Sequence, residues 1–202
     1  MQIGAPPHPR PWPDDPRLDP ALLAEGDRRN VVDAFRYWRE EAIVEALDQR
    51  RHPFHVALEN WQRDPNIGAA VRNANAFLAA GVHIVGRRRW NRRGAMMTER
   101  YQRLWHHSEL EGLLAFCEAE GLPLIGVDNL PGAAPLAPEL LPEACVLLFG
   151  QEGPGLSPAA VEACERLVYI PQYGSTRSIN AGAASAVIMH AWCSRWGRAS
   201  GL

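Results

Sequence analysis

The chain has 202 residues, of which 47% are hydrophobic and 22% are charged, and its formal net charge is −2. These values fit one globular domain with room for an extension, and they exclude a protein-wide positive field that would draw nucleic acid to every face. All 21 basic residues are arginine, the side chain that binds phosphate through two parallel hydrogen bonds.

Membrane and metal classes are also disfavoured. No apolar run approaches the roughly 20 residues of a membrane span, and the Pro-rich start lacks the apolar core of a secretory signal. We therefore predict a cytoplasmic protein with no membrane partner. No metal site is predicted, because His106 and His107 have no acidic or thiol partner in their segment. Four widely spaced cysteines are predicted to be reduced thiols: Cys117, Cys145, Cys164 and Cys193.

The first 51 residues form a predicted extension to a main domain at 52–202. Residues 1–20 hold seven of the 17 prolines and little apolar surface, which predicts a flexible or draped arm. Apolar residues recur at helical spacing from Asn30 to Arg51 and predict a helix there. That helix either caps the domain or contacts RNA or a second subunit.

A βαβ unit opens the main domain. Phe54–Glu59 predicts a strand, a polar stretch and a helix ended by Gly81 follow, and Val82–Val85 predicts the next strand. A parallel sheet is expected, with the polar stretch at the strand ends where such sheets bind ligands. Within this stretch, Asn66 and Arg72 are either a helix N-cap and a solvated side chain or a functional pair.

An arginine-rich segment follows at residues 87–103. It contains one acid and seven arginines, with Trp90, Tyr101 and nearby Trp105 between or beside them. The arginines suit phosphate and the aromatic rings suit stacking on bases, so the segment predicts RNA contact. A solvated or subunit-interface loop is the alternative. The arginines expected to contact RNA are Arg87, Arg88, Arg89, Arg92 and Arg93.

The second half alternates strands and helices and predicts an α/β fold. The predicted helices are Glu109–Glu120, ended by Gly121, and Pro158–Cys164, capped by Ser157. The predicted strands are Leu122–Val127, Ala144–Phe149 and Leu167–Ile170.

Two loops in this half carry chemistry. Residues 150–155 (GQEGPG) match neither a dinucleotide-binding nor a P-loop motif, so they form either a tight turn or a place where backbone approaches a ligand. The loop after Ile170 ends in Ser178-Ile179-Asn180. The small residues at 181–185 then predict a helix that passes close to other backbone.

Three segments together resemble the SpoU (TrmH-like) branch of the SPOUT RNA methyltransferases. They are Glu59 to Arg72 with its EN…NIGAAVR pattern, Leu148 to Ser157 (LFGQEGPGLS), and Ile170 to Asn180 (IPQYG…SIN). The resemblance covers about Phe54 to Trp196 and leaves the first 50 residues outside.

The resemblance implies an α/β core with a mostly parallel sheet, flanking helices and a deep C-terminal trefoil knot. It implies a homodimer that uses S-adenosylmethionine, without a metal, to methylate a ribose 2′-hydroxyl of tRNA or rRNA. By matching position, the cofactor would be held by Val127, Gly150, Ile170 and Ser178. The polar set around the reacting centre would be Arg72, Asn66, Glu152, Ser178 and Asn180, with Arg72 also contacting RNA.

Two alternatives remain open from the sequence. One is SPOUT chemistry on an RNA base nitrogen, but the SerIleAsn element favours the ribose as the target. The other is an RNA-binding module that has kept the fold without catalysis, against which the intact polar set speaks. The sequence after Asn180 reads Ala-Gly where the family often has an apolar residue and a small polar one.

Overall fold

The computed structural model describes residues 4–60 and 66–197. The chain divides after Arg50 into two compact units. No helix in these two ranges is long and apolar enough to cross a lipid bilayer.

The N-terminal unit is built from short elements. Its helices are α1 (Pro20–Glu25) and α2 (Glu40–Asp48), with a 3₁₀ turn at Asp33–Phe35 between them. The helix predicted from Asn30 onward is therefore confined to α2, because the backbone of Tyr37 turns to φ +63°. The Pro-rich segment is draped: Ala5 and Asp27 exchange two backbone hydrogen bonds of 2.8 and 2.9 Å.

The second unit confirms the α/β prediction. Every strand pair in its seven-stranded sheet is parallel, and the strand order is β3-β2-β1-β6-β4-β7-β5. The strands are β1 (His52–Asn60), β2 (Ala79–Gly86), β3 (Leu104–His107), β4 (Leu124–Val127), β5 (Ala134–Pro135), β6 (Cys145–Phe149) and β7 (Arg166–Tyr169). The sequence missed β3 and β5, which are short strands at the two edges.

Helices cover both faces of this sheet. They are α3 (Ile67–Ala76), α4 (Leu110–Glu120), α5 (Pro158–Ala163) and α6 (Ala181–Trp196). Side chains alternate along β1: Val56 and Leu58 join the core under α3 and α6, whereas Ala57 joins the core under α4 and α5. The result is a three-layer arrangement.

Gly81 does not end a helix, contrary to the prediction. It lies inside β2, and α3 has already ended at Ala76. A Cβ atom at Gly81 would come within 1.9 Å of the Trp105 ring on β3. The glycine is therefore explained by packing of a large ring from the neighbouring strand.

The C-terminal helix α6 lies beside α3 and near residues 138–142. The indole nitrogens of Trp192 and Trp196 donate hydrogen bonds to the carbonyl oxygens of Pro142 and Leu141, at 2.9 and 2.8 Å. The resemblance expects a trefoil knot in this region, and the knot stays a prediction.

Candidate active site

A cavity of about 300 Å³ opens at the carboxyl edge of the sheet. Its walls come from residues within 127–129, 149–155, 169–172 and 178–184, which follow β4, β6 and β7 and begin α6. Parallel strands bring their carboxyl ends to one edge, so segments far apart in sequence meet here. The four residues expected to hold a cofactor all line this cavity: Val127, Gly150, Ile170 and Ser178.

The glycine-rich loop forms one wall as a tight hairpin. Gln151 and Gly155 exchange two backbone hydrogen bonds of 3.0 and 2.9 Å. A Cβ atom on Gly150 would come within 2.1 Å of the Gly155 carbonyl carbon, so only glycine fits. The loop is therefore a tight turn, and its backbone lines the cavity.

Two buried or half-buried carboxylates hold this loop, and sequence reasoning assigned a role to neither. Asp128 accepts hydrogen bonds from the backbone nitrogens of Leu156 and Asn129, at 2.8 and 2.7 Å. Glu59, which is 1% exposed, accepts one from the Ser157 nitrogen at 2.8 Å. The usable signal was an acid at or just after a predicted strand end.

Three predicted site residues, one from each motif, form a hydrogen-bonded chain that we call the amide relay. Asn180 accepts at Oδ1 from the Ala183 backbone nitrogen, at 3.1 Å, and its Nδ2 donates to Asn66 Oδ1 at 2.7 Å. Asn66 Nδ2 in turn donates to Glu152 Oε2 at 2.5 Å. Asn66 is at the N-cap position of α3, but its side chain makes no capping bond. The side chain of Asn66 therefore does not act as a helix cap, and its hydrogen bonds go to Glu152 and Asn180 instead.

Helices α3 and α6 meet closely beside this relay. A Cβ atom at the buried Gly182 would lie 2.8 Å from the Cβ of Ala69. Asn73 Nδ2 donates to the Gly182 carbonyl oxygen at 2.8 Å and to Ser185 Oγ at 2.9 Å. The close approach predicted for the small residues of α6 is found here.

Arg72 is not brought to the cavity. It is exposed on α3 and lines no wall of the cavity. Across residues 4–60 and 66–197 its side chain makes no hydrogen bond or ion pair. It stands four residues after Gly68, hence on the same face of α3.

The cavity has a negative character. Its described walls include the carboxylates of Asp128 and Glu152 and no arginine or histidine. Such a cavity suits a ligand that carries positive charge. The half-buried Gln172 also lines it, and the Oε1 atom of this side chain is buried without a partner in the part of the chain that the structure describes.

The arginine loop, residues 87–95, follows β2 at the same edge of the sheet. Its five arginines are exposed. The expectation that interleaved aromatic rings stack on bases is wrong for Tyr101, which is 5% exposed, and for Trp105, whose ring stacks on His83 with centroids 4.8 Å apart. Trp90 is half-buried against the core, and the Arg92 guanidinium lies over it at 5.7 Å. These rings are used in packing.

A second chain of side chains, which we call the histidine row, crosses β1, β2 and β3 on the face under α4. His55 Nδ1 lies 3.0 Å from His83 Nε2, and His83 Nδ1 lies 2.9 Å from His107 Nε2. Burial, followed by the neighbouring His55 and His107, lowers the pKa of His83 to about 3. Burial and then the charge of Arg103 lower the pKa of His55 to about 4. In the described ranges, no group of three or more His, Cys, Asp or Glu is arranged to hold a metal.

Burial also governs the cysteines, which are free thiols as predicted. It raises the pKa of Cys145 to about 12 and that of Cys117 to about 11. Such thiols are poor nucleophiles at neutral pH.

Comparison with known proteins adds a family and a set of related folds. The model of the SpoU rRNA Methylase family matches residues 53–190. The chain is 31% identical over 165 residues to an uncharacterized tRNA/rRNA methyltransferase of Mycolicibacterium vanbaalenii. The matched region covers 74% of this chain and 49% of that protein. The chain thus spans about half the length of the mycobacterial relatives it matches.

Solved structures share the fold. The SpoU methyltransferase AviRb of Streptomyces viridochromogenes, in complex with the cofactor AdoMet, matches with a TM-score of 0.61 and 24% identity over 70% of this chain and 57% of that one. A structure described as giving insight into 2-OH methylation of C/U34 on tRNA matches with a TM-score of 0.59 and 25% identity, over 73% of this chain and 99% of that one.

Proposed function

Because the chain belongs to the SpoU rRNA methylase family, we propose that it transfers a methyl group from S-adenosylmethionine to a ribose 2′-hydroxyl of tRNA or rRNA. The observation that carries the proposal is the cavity at the carboxyl edge of the sheet, which gathers the four expected cofactor residues beside the amide relay. The likeness to a protein described by 2-OH methylation of tRNA supports the ribose as the target.

The charge of the cavity suits this cofactor. Val127, Gly150, Ile170 and Ser178 would hold it, and the carboxylates of Asp128 and Glu152 would face its positive charge. When bound, S-adenosylmethionine supplies a methyl group already activated on a sulfonium, so no metal is required. Protein groups then have to place the target hydroxyl and deal with its proton.

The amide relay is suited to placing the ribose. Its hydrogen bonds fix which end of each amide faces which neighbour, because the Ala183 nitrogen occupies Asn180 Oδ1. Asn180 and Asn66 would orient the ribose or Arg72, and Glu152 would hold the geometry of the loop or pair with an arginine. A network with every member satisfied is rigid, which favours precise placement.

Arg72 would clamp the target phosphate and stabilise the developing alkoxide. A role for Arg72 as the proton acceptor is our second choice. A free guanidinium stays protonated far above neutral pH and therefore accepts a proton poorly. Since Arg72 lies outside the cavity of its own chain, we propose that it acts on RNA bound across the cavity mouth or from a second subunit of a homodimer. Sedimentation of the pure protein tests the dimer, and a monomer that is fully active contradicts it.

The Arg72→Ala variant tests the catalytic assignment. We expect methyl transfer to be abolished while affinity for S-adenosylmethionine stays within about twofold, because Arg72 does not line the cavity. The exposed Arg195 on α6 is the matched control, and its replacement by alanine should leave activity unchanged. Full activity of Arg72→Ala would sink the assignment.

The site of methylation is tested by alkaline digestion of RNA labelled from the cofactor. A 2′-O-methyl group leaves an alkali-resistant dinucleotide, whereas a methylated base nitrogen does not.

Calorimetry with S-adenosylmethionine addresses the non-catalytic alternative, which predicts no binding with or without RNA. Mapping 2′-O-methyl sites in total RNA with and without the gene would identify the target.

The proposal includes a cytoplasmic location and a knot around α6. Cell fractionation that recovers the protein outside the cytoplasm would contradict the first. An experimental structure in which the chain after Asn180 passes through no loop of residues 121–180 would contradict the second.

A further inference from the structure

The arginine loop presents positive charge that no acid in the described part of the chain neutralises. Its five arginines form no ion pair or side-chain hydrogen bond with any residue in 4–60 or 66–197. Clustered guanidinium groups that face solvent suit a polyanionic partner.

The backbone of this loop is fixed at its start by one buried side chain. Asn60, at the carboxyl end of β1, is 0% exposed. Its Nδ2 donates to the carbonyl oxygens of Arg87 and Arg89, at 2.5 and 3.2 Å, and its own carbonyl accepts from the Arg87 nitrogen at 3.0 Å. The two hydrogen bonds from the Asn60 side chain, together with the one that its backbone carbonyl accepts, therefore set the path of residues 87–89.

The far end of the loop is fixed against α3. A Cβ atom at Gly68 would lie 2.8 Å from the Asn91 carbonyl oxygen and 2.9 Å from the Ala95 nitrogen, so the loop backbone rests directly on the helix. Asn91 Oδ1 accepts from the Arg93 nitrogen at 3.0 Å, and Ala95 is fully buried. Since both ends are held, the arginine side chains start from defined positions.

The type of contact follows from what the loop lacks. Among the described residues, Trp90 is half-buried with the Arg92 guanidinium over its ring, and Tyr101 is buried. The loop therefore presents mainly guanidinium groups to a partner. Proteins that position nucleic acid without reading bases do so through phosphate contacts, which arginine makes well.

The loop is also near the cavity. It follows β2, which is two strands from β6, whose carboxyl end begins the glycine-rich loop. Strands are spaced about 4.8 Å apart, so the lateral separation is about 10 Å, or roughly three axial steps of a nucleic-acid strand. Arg72 lies on the face of α3 against which the loop packs.

We propose that Asn60 is a positioning residue for RNA binding. By fixing the backbone of the arginine loop, it presents the guanidinium groups to the phosphodiester backbone of the RNA that the proposed reaction modifies. This inference rests on the proposed function for the identity of the RNA, and it concerns RNA binding only.

The experiment measures affinity for bulk tRNA against salt concentration. Each phosphate contact contributes about 0.7 to 0.9 to the slope of log affinity against log salt. We expect Arg88→Ala to lower the slope by the amount of about one phosphate contact. We expect Asn60→Ala to lower it by about two contacts or more and to weaken binding about tenfold at low salt. In methyl transfer, Asn60→Ala should raise the KM for tRNA about tenfold and leave kcat within about twofold.

Two further variants keep the test decisive if Asn60→Ala does not fold. Gly94→Ala displaces the loop without removing a charge, because its Cβ would lie 3.0 Å from the Ala69 nitrogen, and we expect a lower salt slope. Arg195→Gln removes one exposed arginine elsewhere and should leave the slope unchanged. Wild-type affinity and slope in Asn60→Ala or, failing that, in Gly94→Ala would overturn the inference. If wild-type protein binds tRNA through these residues but transfers no methyl group, the proposed function fails instead.

Discussion

The amide relay and the histidine row are both chains of three side chains drawn from three distant segments. The relay joins Asn180, Asn66 and Glu152 at the open edge of the sheet, and its two end residues line the cavity. The row joins His55, His83 and His107 inside the sheet–helix layer, where His83 is 0% exposed and stacks on Trp105. The two chains are bonded in a similar way, but the relay ends on the cavity and the centre of the row is buried.

The relay and the row differ in whether their polar groups can still contact a ligand. Glu152 is exposed and ends the relay on a cavity wall, where a ligand can reach it. Both ring nitrogens of His83 are already occupied by the neighbouring histidines. We therefore expect changes in the relay to affect activity and changes in the row to affect stability.

Breaking the relay should give the largest effect. Asn66→Ala removes the donor to Glu152 and the acceptor for Asn180, and we expect kcat for methyl transfer to fall about 100-fold, as for loss of one preorganised polar group in an active site. The melting temperature should change by only about 2 °C, because Asn66 is partly exposed and makes no helix-capping bond. Radiolabel transfer and thermal melts measure the two quantities.

The exposed Asn30 provides the control, since Asn30→Ala should leave both quantities unchanged. If Asn66→Ala retained wild-type kcat, the relay would be structural, like the row.

Breaking the row should change how stability depends on pH. The pKa values of His83 and His55 in the folded protein, about 3 and about 4, lie below the ordinary value of 6.5. The unfolded chain therefore binds more protons between these values, and the free energy of unfolding falls as pH drops from about 6.5 towards 4. Each such histidine contributes a slope of up to about 1.4 kcal/mol per pH unit.

His83→Phe should remove one of these slopes. At pH 7 it should destabilise the protein by about 1–3 kcal/mol, because it leaves one ring nitrogen of each neighbour without its partner. Urea unfolding from pH 7 to pH 4 should show the variant and the wild type converging. Parallel curves would contradict the prediction, and the exposed His190→Phe is the control.

A smaller change should show how the relay depends on helix packing. Gly182→Ala places a methyl group 2.8 Å from Ala69 Cβ and 3.1 Å from Asn180 Oδ1, and the helices must separate slightly to fit it. We expect about 1 kcal/mol lower stability, and activity reduced several-fold as the relay lengthens. The exposed Gly174, which has nothing within 4 Å of its Cβ position, is the matched glycine, and Gly174→Ala should not lower stability. Equal stability of the two variants would mean that the contact between α3 and α6 tolerates the methyl group.

The sequence predicted the relay better than it predicted the row. The resemblance of three motifs to the SpoU branch grouped Asn66, Glu152 and Asn180 around one centre, and the structure brings these three side chains together. The row is invisible in sequence because it depends on register: His55, His83 and His107 meet only when β1, β2 and β3 are aligned, and β3 was not predicted.

Other misses have similar causes. Gly81 was predicted to end a helix, because local sequence gave no other reason for a glycine there. The actual reason is the Trp105 ring, which occupies the space of a Gly81 side chain and lies 24 positions later in the chain. Asp128 was passed over because its function is to accept backbone hydrogen bonds from a loop 28 residues away. Long-range partners of this kind have no signature in local spacing.

The last two residues of β1 have a consequence for how this sequence can change. Glu59 faces α5 and accepts from Ser157, and Asn60 faces the opposite side of the sheet and holds the arginine loop. Strand side chains alternate, so inserting or deleting one residue within β1 would exchange these two side chains between faces. Both loops would then lose their anchor in a single step, even though neither loop had been altered. Substitutions can accumulate along β1, but we expect its length to be fixed.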